Sequence, residues 1–569
     1  MTPLSKRWET PVVPPAEYAA ALSDFPPFVR QILYCRGLAD RLAVDIFLSG
    51  EGDSLIDPFL MKGMHTATRR ILQAVASQER IVVYGDFDAD GVTSTALLVH
   101  ALQRMRAVVE PYIPDRVDEG YGLSLGSMEK LADRGTSLLV TVDCGISSVD
   151  EIALASARGM EVIVTDHHHA PPNLPAALAI VNPKQPACPY PFKLLAGVGV
   201  AFKLAQAVAS LAGDPAAVEE MDQLTDLVAL GTVADLVPLT GENRTLVKSG
   251  LRRLNQAVRP GIRALLRVAR LGKVDSGAIA FALGPRLNAA GRMGDAWNAY
   301  NILLTESATE ADELAAALES ANLDRQELTA RLCSLARAQL LESGADNKIA
   351  IVSGPEYRAG VVGLVAGRLA EEFYRPALVL EVGTHTSRGS ARSIPGFHMA
   401  RALDQCDDLL IRHGGHAQAA GFTVDNCRLE QLRERLLQIA ETELAGAAPE
   451  PALAIDAALE AGQIRWETLD WIDRLAPFGY GNEQPLLVSR RLRICGGARL
   501  VGRDHLKARF VPQGGGQVVD AIGFRMGGWL EELPKHPLWD VAYCLERNQW
   551  GDYPETLQLS VKDLRPSLP

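Results

Sequence analysis

The chain has 569 residues and a net charge of −12, and 47% of its residues are hydrophobic. A chain of this length and composition forms about three or four globular domains. Because no apolar run is long enough to span a membrane and the eight cysteines lack Cys-x-x-Cys spacing, we expect neither a membrane protein nor a disulfide framework, and we place the protein in the cytoplasm.

Residues 1–50 show no informative pattern and are treated as a separate N-terminal segment. The first strong signal is an apolar run that ends in three aspartates at alternate positions, Asp86, Asp88 and Asp90, followed by Gly91. Side chains two positions apart on extended chain point the same way, so this segment concentrates negative charge at one place. Such a concentration is unfavourable without a cation. An acidic turn after a strand is the simpler interpretation of the motif alone, but later segments repeat the pattern.

Two further β-branched runs end in acids. One run leads to Asp143, and the next leads to Asp166, His167 and His168. Short apolar runs separated by helical patterns predict buried parallel strands. Because ligands collect at the carboxyl ends of such strands, we expect these side chains to meet the first three aspartates in one crevice. The two predicted strands are residues 138–142 and 161–165.

A further acid, Asp235, lies in an otherwise apolar stretch that begins near Leu227. A buried carboxylate needs a partner or a metal, because burying an unpaired charge is costly. Oxygen ligands with one or two imidazoles, and no thiolates at ligand spacing, favour Mn²⁺ or Mg²⁺ over structural zinc. The acids exceed the needs of one ion, so we expect two ions that share a carboxylate, as in enzymes that displace groups at phosphorus.

A run of basic residues without an intervening acid, which we call the basic stripe, extends from Arg244 to Lys273. Within it, Arg263, Arg267 and Arg270 are spaced to share one face of a helix. The stripe fits a nucleic-acid surface and a solvated helix face that balances acids elsewhere equally well.

The second half of the chain predicts three further units. Residues 301–345 are dominated by Ala, Leu and Glu at helical spacing, which predicts a long connector helix. Residues 346–445 combine strand and helix patterns and predict a smaller α/β domain, in which the glycine-rich segments 389–393 and 414–416 are expected to be loops. Repeated short alternating runs within residues 450–569 predict a small β-barrel.

The motifs together resemble the DHH phosphoesterase superfamily. The residues that carry this likeness are Asp86-Phe-Asp-Ala-Asp-Gly91, Val142-Asp143-Cys-Gly145, Asp166-His167-His168 and Val233-Ala-Asp235. Further motifs, spread over nearly the whole chain, are similar to the RecJ family of bacterial single-strand-specific 5′ to 3′ exonucleases. These motifs are Ile113-Pro-Asp-Arg116, Glu119-Gly-Tyr-Gly122, Pro285-Arg-Leu-Asn-Ala-Ala-Gly-Arg292, Gly389-Ser-Ala-Arg-Ser393, Gly414-Gly-His-Ala-Gln-Ala-Ala-Gly421 and Pro477-Phe-Gly-Tyr-Gly-Asn482.

This resemblance implies an α/β fold of several parts. A parallel-sheet DHH domain would occupy residues 51–300 and would be followed by the long connector helix. The smaller α/β DHH-associated domain would close over the substrate cleft. The C-terminal barrel would be an OB-fold, a frequent binder of single strands.

The resemblance also implies roles for individual residues. One metal ion would be held by Asp86, Asp88 and Asp143, and the other by Asp90, Asp143, His167 and Asp235. His168 would face the scissile phosphate as an electrophile or general acid, and it would form the catalytic set with Asp166, Asp88 and Asp143. His169 matches no motif position and is not included in the catalytic set. Candidate contacts to the nucleic acid are Arg116, Arg286, Asn288, Arg292, Ser390, Arg392 and His416.

We therefore expect a monomeric, metal-dependent exonuclease that hydrolyses single-stranded DNA from the 5′ end to mononucleotides in recombination and repair. One alternative is a DHH phosphodiesterase for short oligonucleotides or cyclic dinucleotides, which would not need the barrel. Another is a non-catalytic replication scaffold, which would not need a full ligand set. Besides single-stranded DNA, expected partners by analogy are a single-strand-binding protein, a helicase or recombination factors.

Overall fold

The computed structural model describes residues 6–50, 55–116, 119–120, 122–342, 347–446, 450–502, 504–548 and 555–567. Tyr121 of one sequence motif lies outside these ranges. The described chain forms a parallel-sheet domain, a long helix, a mixed-sheet domain and a barrel against which the N-terminal helices pack. None of the described helices is long and apolar enough to cross a membrane.

The N-terminal segment contains one short strand and three helices. Their bounds are β1 (Arg7–Glu9), α1 (Ala16–Ala21), α2 (Pro27–Cys35) and α3 (Arg41–Ser49). Asp40 caps α3, because its side chain accepts a hydrogen bond from the backbone N–H of Ala43.

A five-stranded parallel sheet is the centre of the first domain. Its elements in chain order are α4 (Met64–Ala76), β2 (Arg80–Gly85), α5 (Ala89–Arg104), β3 (Val108–Tyr112), α6 (Leu125–Asp133), β4 (Leu138–Val142), α7 (Val149–Ala157), β5 (Glu161–Thr165) and β6 (Ala179–Val181). The strands lie in the order β3-β2-β4-β5-β6. The three central strands are almost entirely buried, as expected for a sheet covered by helices on both faces. Both predicted strands are confirmed at their predicted bounds.

The register of this sheet brings the carboxyl ends of the strands into one line. Gly85 pairs with Val142, Val142 with Thr165, and Thr165 with Val181. The residue that follows each of the first three is an aspartate. The sheet therefore places three carboxylates side by side at one edge, where ligands of such sheets bind.

Helices complete the first domain. They are α8 (Gly197–Ala212), α9 (Pro215–Glu220), α10 (Thr225–Ala234), α11 (Gly241–Gln256), α12 (Pro260–Val268), α13 (Ser276–Ala278), a π-helical turn (Ile279–Leu283), α14 (Gly284–Met293) and α15 (Trp297–Leu304). They share one hydrophobic core with the sheet.

The connector helix α16 (Ala308–Glu342) belongs to two cores. In its first half, Ala315 and Leu318 are buried in the core of the first domain. In its second half, Leu332 and Ala336 are buried in the core of the next domain. The helix therefore fixes the two domains relative to each other.

The second domain is a mixed sheet with helices. Its elements are β7 (Ala350–Gly354), α17 (Ala359–Phe373), β8 (Ala377–Val382), β9 (Thr386–Arg392), α18 (Met399–Asp404), β10 (Leu410–Gly415), β11 (Ala419–Asp425) and α19 (Leu429–Glu443). The strand order is β10-β11-β9-β8-β7, and only β7 and β8 are parallel to each other.

The predicted loops of this domain are wrong, because 389–392 lie in β9 and 414–415 lie in β10. The reason is visible at Gly389, which pairs with Phe422 on the neighbouring strand. A Cβ at Gly389 would lie 2.2 Å from the Phe422 ring, so this glycine makes room for an aromatic side chain and does not turn the chain.

The C-terminal part is a barrel-like sheet. Its elements are β12 (Ala452–Ala454), β13 (Ala457–Ala458), α20 (Trp466–Asp473), β14 (Leu487–Ile494), β15 (Arg499–Val501), β16 (His505–Pro512), β17 (Val519–Gly523), β18 (Trp539–Asn548) and β19 (Thr556–Pro566). An additional pairing of β14 with β16 closes the sheet. The N-terminal helices contribute Ile32 and Leu33 to the barrel core, and β1 pairs with β12. The first and last parts of the chain thus share one core.

Arg244, at the start of the basic stripe, is buried where the first domain, the N-terminal segment and the barrel region meet. Its guanidinium lies over the Phe47 ring and donates hydrogen bonds to the carbonyls of Phe47, Ala476 and Pro477, at 2.9, 2.7 and 3.3 Å respectively. The side chain therefore satisfies three carbonyls from two other parts of the chain, and it is not a DNA contact.

Other members of the basic stripe are also engaged within the protein. Lys248 donates to the carbonyls of Leu48 and Ser49, Arg259 pairs with Asp226, and Arg267 pairs with Asp312. The predicted common helix face is wrong for Arg270, because α12 ends at Val268 and Arg270 has a φ of 55°. These contacts favour the interpretation in which the stripe balances acids and connects domains.

We expect the Arg244→Met substitution to lower the free energy of unfolding by about 3 kcal/mol, because it leaves three carbonyls without a donor in a buried place. Urea unfolding followed by tryptophan fluorescence measures the change. The matched control is Arg263→Met, at an exposed position of α12, which should change the free energy by less than about 0.5 kcal/mol. Equal stability of both variants would contradict a tying role of Arg244.

Candidate metal centre and cleft

The metal centre starts at the aligned strand ends. Asp86 follows β2, Asp143 follows β4 and Asp166 follows β5, and all three are buried. The left-handed φ of 61° at Asp143 is uncommon for a residue with a side chain. Strained backbone of this kind persists where the surroundings enforce it, often at functional sites.

The start of α5 places two more carboxylates at the same edge. Asp88 caps the helix and accepts hydrogen bonds from the backbone N–H groups of Asp90 and Gly91, each at 3.0 Å. Asp90 accepts from the N–H groups of Gly197 and Val198 at the N-terminus of α8, at 2.7 and 2.9 Å. A helix N-terminus stabilises negative charge, so α8 favours the ionised form of Asp90 and holds its carboxylate in one orientation.

Close packing excludes side chains larger than glycine next to these acids. A Cβ at Gly197 would lie 2.6 Å from Asp143, and a Cβ at Gly231 would lie 2.8 Å from the Asp90 carboxylate. The glycines of α8 and α10 therefore let two helices approach the carboxylates closely. The end of α10 thereby brings Asp235, which follows the last residue of that helix, to the other acids.

The ligand atoms form three groups whose members lie within 4.8 Å of one another. These groups are Asp86, Asp88 and Asp143; Asp90, His167 and Asp235; and Asp143, His167 and His168. Asp143 belongs to two of them, and its Oδ1 lies 3.1 Å from His167 Nε2. The arrangement brings together all six predicted metal ligands and makes Asp143 the centre of the cluster.

The carboxylates destabilise one another when no cation is present. Burial raises the pKa of Asp86, Asp143 and Asp235 well above the ordinary value, and neighbouring carboxylates raise it further. Burial, followed by the charge of Asp88, raises the pKa of Asp90 to about 7 despite its two backbone donors. A cluster of this kind favours a divalent cation over protons.

Buried atoms without a hydrogen-bond partner give an independent test of the fit. Asp86 Oδ1, Asp143 Oδ1 and His167 Nε2 are buried, and no donor or acceptor among the described residues satisfies them. Burial also lowers the pKa of His167 to about 3, so the ring is neutral at neutral pH. Neutral imidazole and carboxylate oxygens with unused lone pairs are the donors that Mn²⁺ and Mg²⁺ sites contain, so the residues present fit two such ions.

Asp166 faces away from the ligand groups and holds the following loop. Its oxygens accept hydrogen bonds from the backbone N–H groups of Ile146, His167 and His168, and from His168 Nδ1 at 2.8 Å. Burial opposes ionisation of Asp166, but the hydrogen bond and charge of His168 outweigh it and lower the pKa of Asp166. Burial likewise lowers the pKa of the His168 ring, but Asp166 outweighs that effect and raises it. Asp166 is therefore a positioning residue for His168.

The residues after β6 also reach the centre, and the sequence reasoning missed them. Asn182 is fully buried, and its amide donates to the carbonyl of His168 at 3.0 Å. Lys184 lies near enough to Asp235 and Asp166 for their charges to raise its pKa, although burial lowers it more strongly. The sequence contains a signal for Asn182, because this residue directly follows β6, just as the acids directly follow the other strands.

Three arginine side chains lie near the acid cluster. The Arg116 guanidinium lies 4.6 Å from the centroid of the Phe87 ring, next to the aspartate motif. Burial, followed by the charge of Arg116, lowers the pKa of Arg292 to about 10, and burial lowers the pKa of Arg392. Among the described residues these three guanidinium groups form no ion pair with a carboxylate, although the charges of Asp86 and Asp88 raise the pKa of Arg116 against the stronger effect of burial. Half-buried arginines without a carboxylate partner favour binding of an anion such as a phosphate.

The second domain adds polar groups to this cationic side. Arg392 donates to the Ser390 hydroxyl at 3.1 Å, and both side chains pack against Gly363 of α17. The His416 ring makes an edge contact with His169 of the first domain at 5.5 Å. His169, which matches no motif position, therefore marks where the two domains meet beside the metal centre.

Two of the predicted nucleic-acid contacts have other partners. Arg286 pairs with Glu319 of α16 at 2.5 Å and donates to the carbonyl of Ala282. Asn288 Oδ1 accepts from the backbone N–H of Ala89 at 2.8 Å, and so anchors the start of α5. We therefore leave both side chains out of the cationic side of the cleft.

Family profiles match three parts of the chain. The N-terminal domain of the DHH family matches residues 80–232, the DHHA1 domain matches 346–446, and the RecJ OB domain matches 455–563. Fold, acid cluster and following domain define a hydrolase of the DHH class.

The chain belongs to the RecJ family. It is 37% identical over 564 residues to the single-stranded-DNA-specific exonuclease RecJ of Dickeya dadantii, covering 95% of this chain and 96% of the relative. It is 38% identical over 541 residues to the Bacillus subtilis protein of the same name, covering 94% of this chain and 68% of the relative.

Solved structures agree with the fold and with the metals. The crystal structure of RecJ from Thermus thermophilus in complex with Mn²⁺ superposes with a TM-score of 0.84 at 31% identity, covering 99% of this chain and 80% of that chain. The complex of the same protein with Mg²⁺ gives a TM-score of 0.78. The expected family, fold class and choice of metal ions are confirmed, whereas the roles of individual residues remain predictions.

Metal binding should stabilise the fold measurably. We expect Mn²⁺ at about 100 times its dissociation constant to raise the stability by about 2.7 kcal/mol relative to EDTA, and the thermal midpoint with it. Asp143→Asn should lose most of this rise, yet be more stable than the unmutated chain in EDTA, because one of the repelling charges is gone. His169→Ala is the matched control and should keep the rise, because this exposed residue lies outside the ligand groups. Differential scanning fluorimetry measures all three, and a full rise in Asp143→Asn would contradict the shared position of Asp143.

Proposed function

We propose that this protein is a metal-dependent exonuclease that hydrolyses single-stranded DNA from the 5′ end and releases mononucleotides. The observation that carries this proposal is the proximity of two sets of side chains with complementary chemistry. One is a buried acid cluster suited to two divalent cations, and the other is a group of arginines suited to phosphates, of which Arg116 lies close enough to Asp86 for their charges to interact. A phosphodiester fits between them.

The acid cluster prepares the site for hydrolysis. Two divalent ions held there would supply water of lowered pKa and would shield the charge on the phosphate. The ions would be Mn²⁺ or Mg²⁺, with Asp86, Asp88 and Asp143 around one, and Asp90, His167 and Asp235 around the other together with Asp143. Because backbone donors at helix starts hold Asp88 and Asp90, the ligand geometry exists before substrate arrives.

His168 supports this proposal through its contacts. Its Nδ1 is bonded to Asp166, which raises the pKa of the ring against the effect of burial. The side chain is 39% exposed, which leaves part of the ring accessible to a substrate. We assign to His168 a hydrogen bond to a phosphate oxygen, with Asp166 as the group that orients the ring.

The cationic side and the barrel bind the strand. Arg116, Arg292 and Arg392, with Ser390 and His416, would hold successive phosphates near the cleavage point. The match of the barrel to the RecJ OB domain supports an extended single-strand site beyond the cleft. A phosphodiesterase for very short substrates would not use such a barrel, and a non-catalytic scaffold would not use the full acid cluster.

The cytoplasm remains our proposed location, and a monomer our proposed state. All eight cysteines are free thiols, which suits a reducing compartment. A single-strand-binding protein, a helicase or recombination factors remain the proposed protein partners, because each of them produces or holds single strands.

The decisive experiment is digestion of a long single strand, labelled separately at its 5′ and 3′ ends, with Mn²⁺. We expect the 5′ label to be released first, as mononucleotide, whereas blunt duplex stays intact and Asp143→Ala is inactive. Early loss of the 3′ label would contradict the proposed polarity. Hydrolysis of di- to tetranucleotides or cyclic dinucleotides alone would replace the proposal by the short-substrate enzyme, and binding without any cleavage would replace it by the scaffold.

Loss of one arginine of the cleft should weaken binding of every sequence alike. We expect Arg392→Met to raise KM about tenfold and to reduce the slope of log KM against log salt by about 0.7, the value for one phosphate contact on a single strand. Arg401→Met, at an exposed position of α18 in the same domain, is the matched control and should leave both unchanged. An unaltered salt slope in Arg392→Met would remove Arg392 from the phosphate contacts.

A further inference from the structure

Three large apolar side chains are exposed in three segments: just after α10, in the π-helical turn before α14 and in the turn before β14. Leu236 is 66% exposed, Phe281 is 87% exposed and Tyr480 is 60% exposed. Single exposed apolar residues are common on protein surfaces and need no explanation. These three, however, come from segments that the structure holds in contact with one another, and we call them together the apolar platform.

Backbone contacts bring the three segments together. The N–H of Leu239 donates to the carbonyl of Tyr480 at 2.8 Å, which joins the loop after α10 to the barrel region. The hydroxyl of Ser276, at the start of α13, donates to the carbonyl of Phe478 at 2.5 Å. A Cβ at Gly284 would lie 3.2 Å from the Ala234 Cβ, so the helix that follows Phe281 packs on the end of α10.

Two of the three residues sit on unusual backbone. Phe281 is the central residue of the π-helical turn, and such turns occur frequently at functional sites. Leu236 has a φ of 58°, in the left-handed region that residues with side chains rarely adopt. In these conformations both side chains are exposed to solvent.

The platform is continuous with the metal centre. Leu236 directly follows the proposed ligand Asp235. The helix α14, which begins after the Phe281 turn, carries Asn288, whose side chain anchors the start of α5, and it packs on Phe87 through Gly291. A single strand that binds through its phosphates leaves the faces of its unpaired bases free to contact an apolar surface.

From this placement we propose that Leu236, Phe281 and Tyr480 form a stacking site for unpaired bases of the strand that enters the metal centre. The proposal rests on the proposed function and adds a reason for preferring single strands. A base in duplex DNA is paired and stacked on its neighbours, so its face is not available to Phe281. An unpaired base stacks on an aromatic ring irrespective of its identity.

Equilibrium binding tests the proposal without relying on cleavage. In an Asp143→Asn background, the affinity for a labelled single strand of about 16 nucleotides is measured by fluorescence anisotropy. We expect Phe281→Ala to raise the dissociation constant about 5- to 100-fold. Phe281→Trp, which keeps a stacking ring, should stay within about threefold of the unmutated platform. Leu42→Ala, at a leucine of α3 that is 68% exposed, is the matched control and should not change binding.

Strands with a single abasic position, moved along from the 5′ end, then locate the stacked base. With Phe281 present, one or more positions should lose affinity when the base is missing, and in Phe281→Ala this loss should vanish at those positions. An unchanged dissociation constant in Phe281→Ala, or the same abasic profile in both proteins, overturns the platform. If Phe281→Ala also lowers the thermal midpoint, the comparison of Phe281→Trp with Phe281→Leu decides, because both fill the position but only the first can stack.

The proposed function and the stacking site can be disproved separately. If the unmutated chain neither binds nor digests single strands, the proposed function itself is wrong and the platform falls with it. If the unmutated chain digests single strands from the 5′ end while all Phe281 variants bind equally well, only the stacking site is wrong.

Discussion

Repulsion among carboxylates at the ends of neighbouring parallel strands is the constraint on which the rest of this structure depends. The sheet register aligns Asp86, Asp143 and Asp166, and α5 adds Asp88 and Asp90 within reach of them. Burial strengthens the repulsion, because little water remains to screen it. Two features offset the repulsion: backbone donors at helix N-termini stabilise Asp88 and Asp90, and ligand atoms without a protein partner leave room for cations.

The remaining domains complete what the acid cluster begins. The charge of Arg116 acts on Asp86 and that of Lys184 acts on Asp235, but burial outweighs both effects. Arg292 and Arg392 are partly buried and form no ion pair with a carboxylate among the described residues. Separation of the two sets of charges creates a place for a molecule that is itself anionic but is held between metal ions and arginines. The fold thus presents negative metal-ligand groups and positive arginines near one another. A phosphodiester is a group that can contact metal ions at the first set and guanidinium groups at the second.

Much of this organisation could be predicted from the sequence because its signals are local. The strand that ends at Val142 and the acid that follows it are adjacent in the chain, and the alignment of strand ends follows from parallel pairing alone. Contacts between distant segments were not predictable in this way. Judged from the local sequence alone, Gly389 indicates a turn. In the structure it lies on a strand opposite Phe422, thirty-three residues later, and leaves room for that ring. Arg286 is of a residue type that often contacts phosphates. Its partner Glu319, however, is brought near only by the packing of α16.

The connector helix has a consequence for how this chain can vary. It is 35 residues long, about 52 Å at 1.5 Å per residue, and it is packed at both ends into different cores. Inserting a single residue between Leu318 and Leu332 would advance the second domain by about 1.5 Å and rotate it by about 100°. The arginine and serine of β9 would then lose their present position relative to the first domain. The number of residues in the helix therefore sets the relative orientation of the two domains. Its exposed positions can change identity, but residues cannot be added or removed between the two cores without changing that orientation.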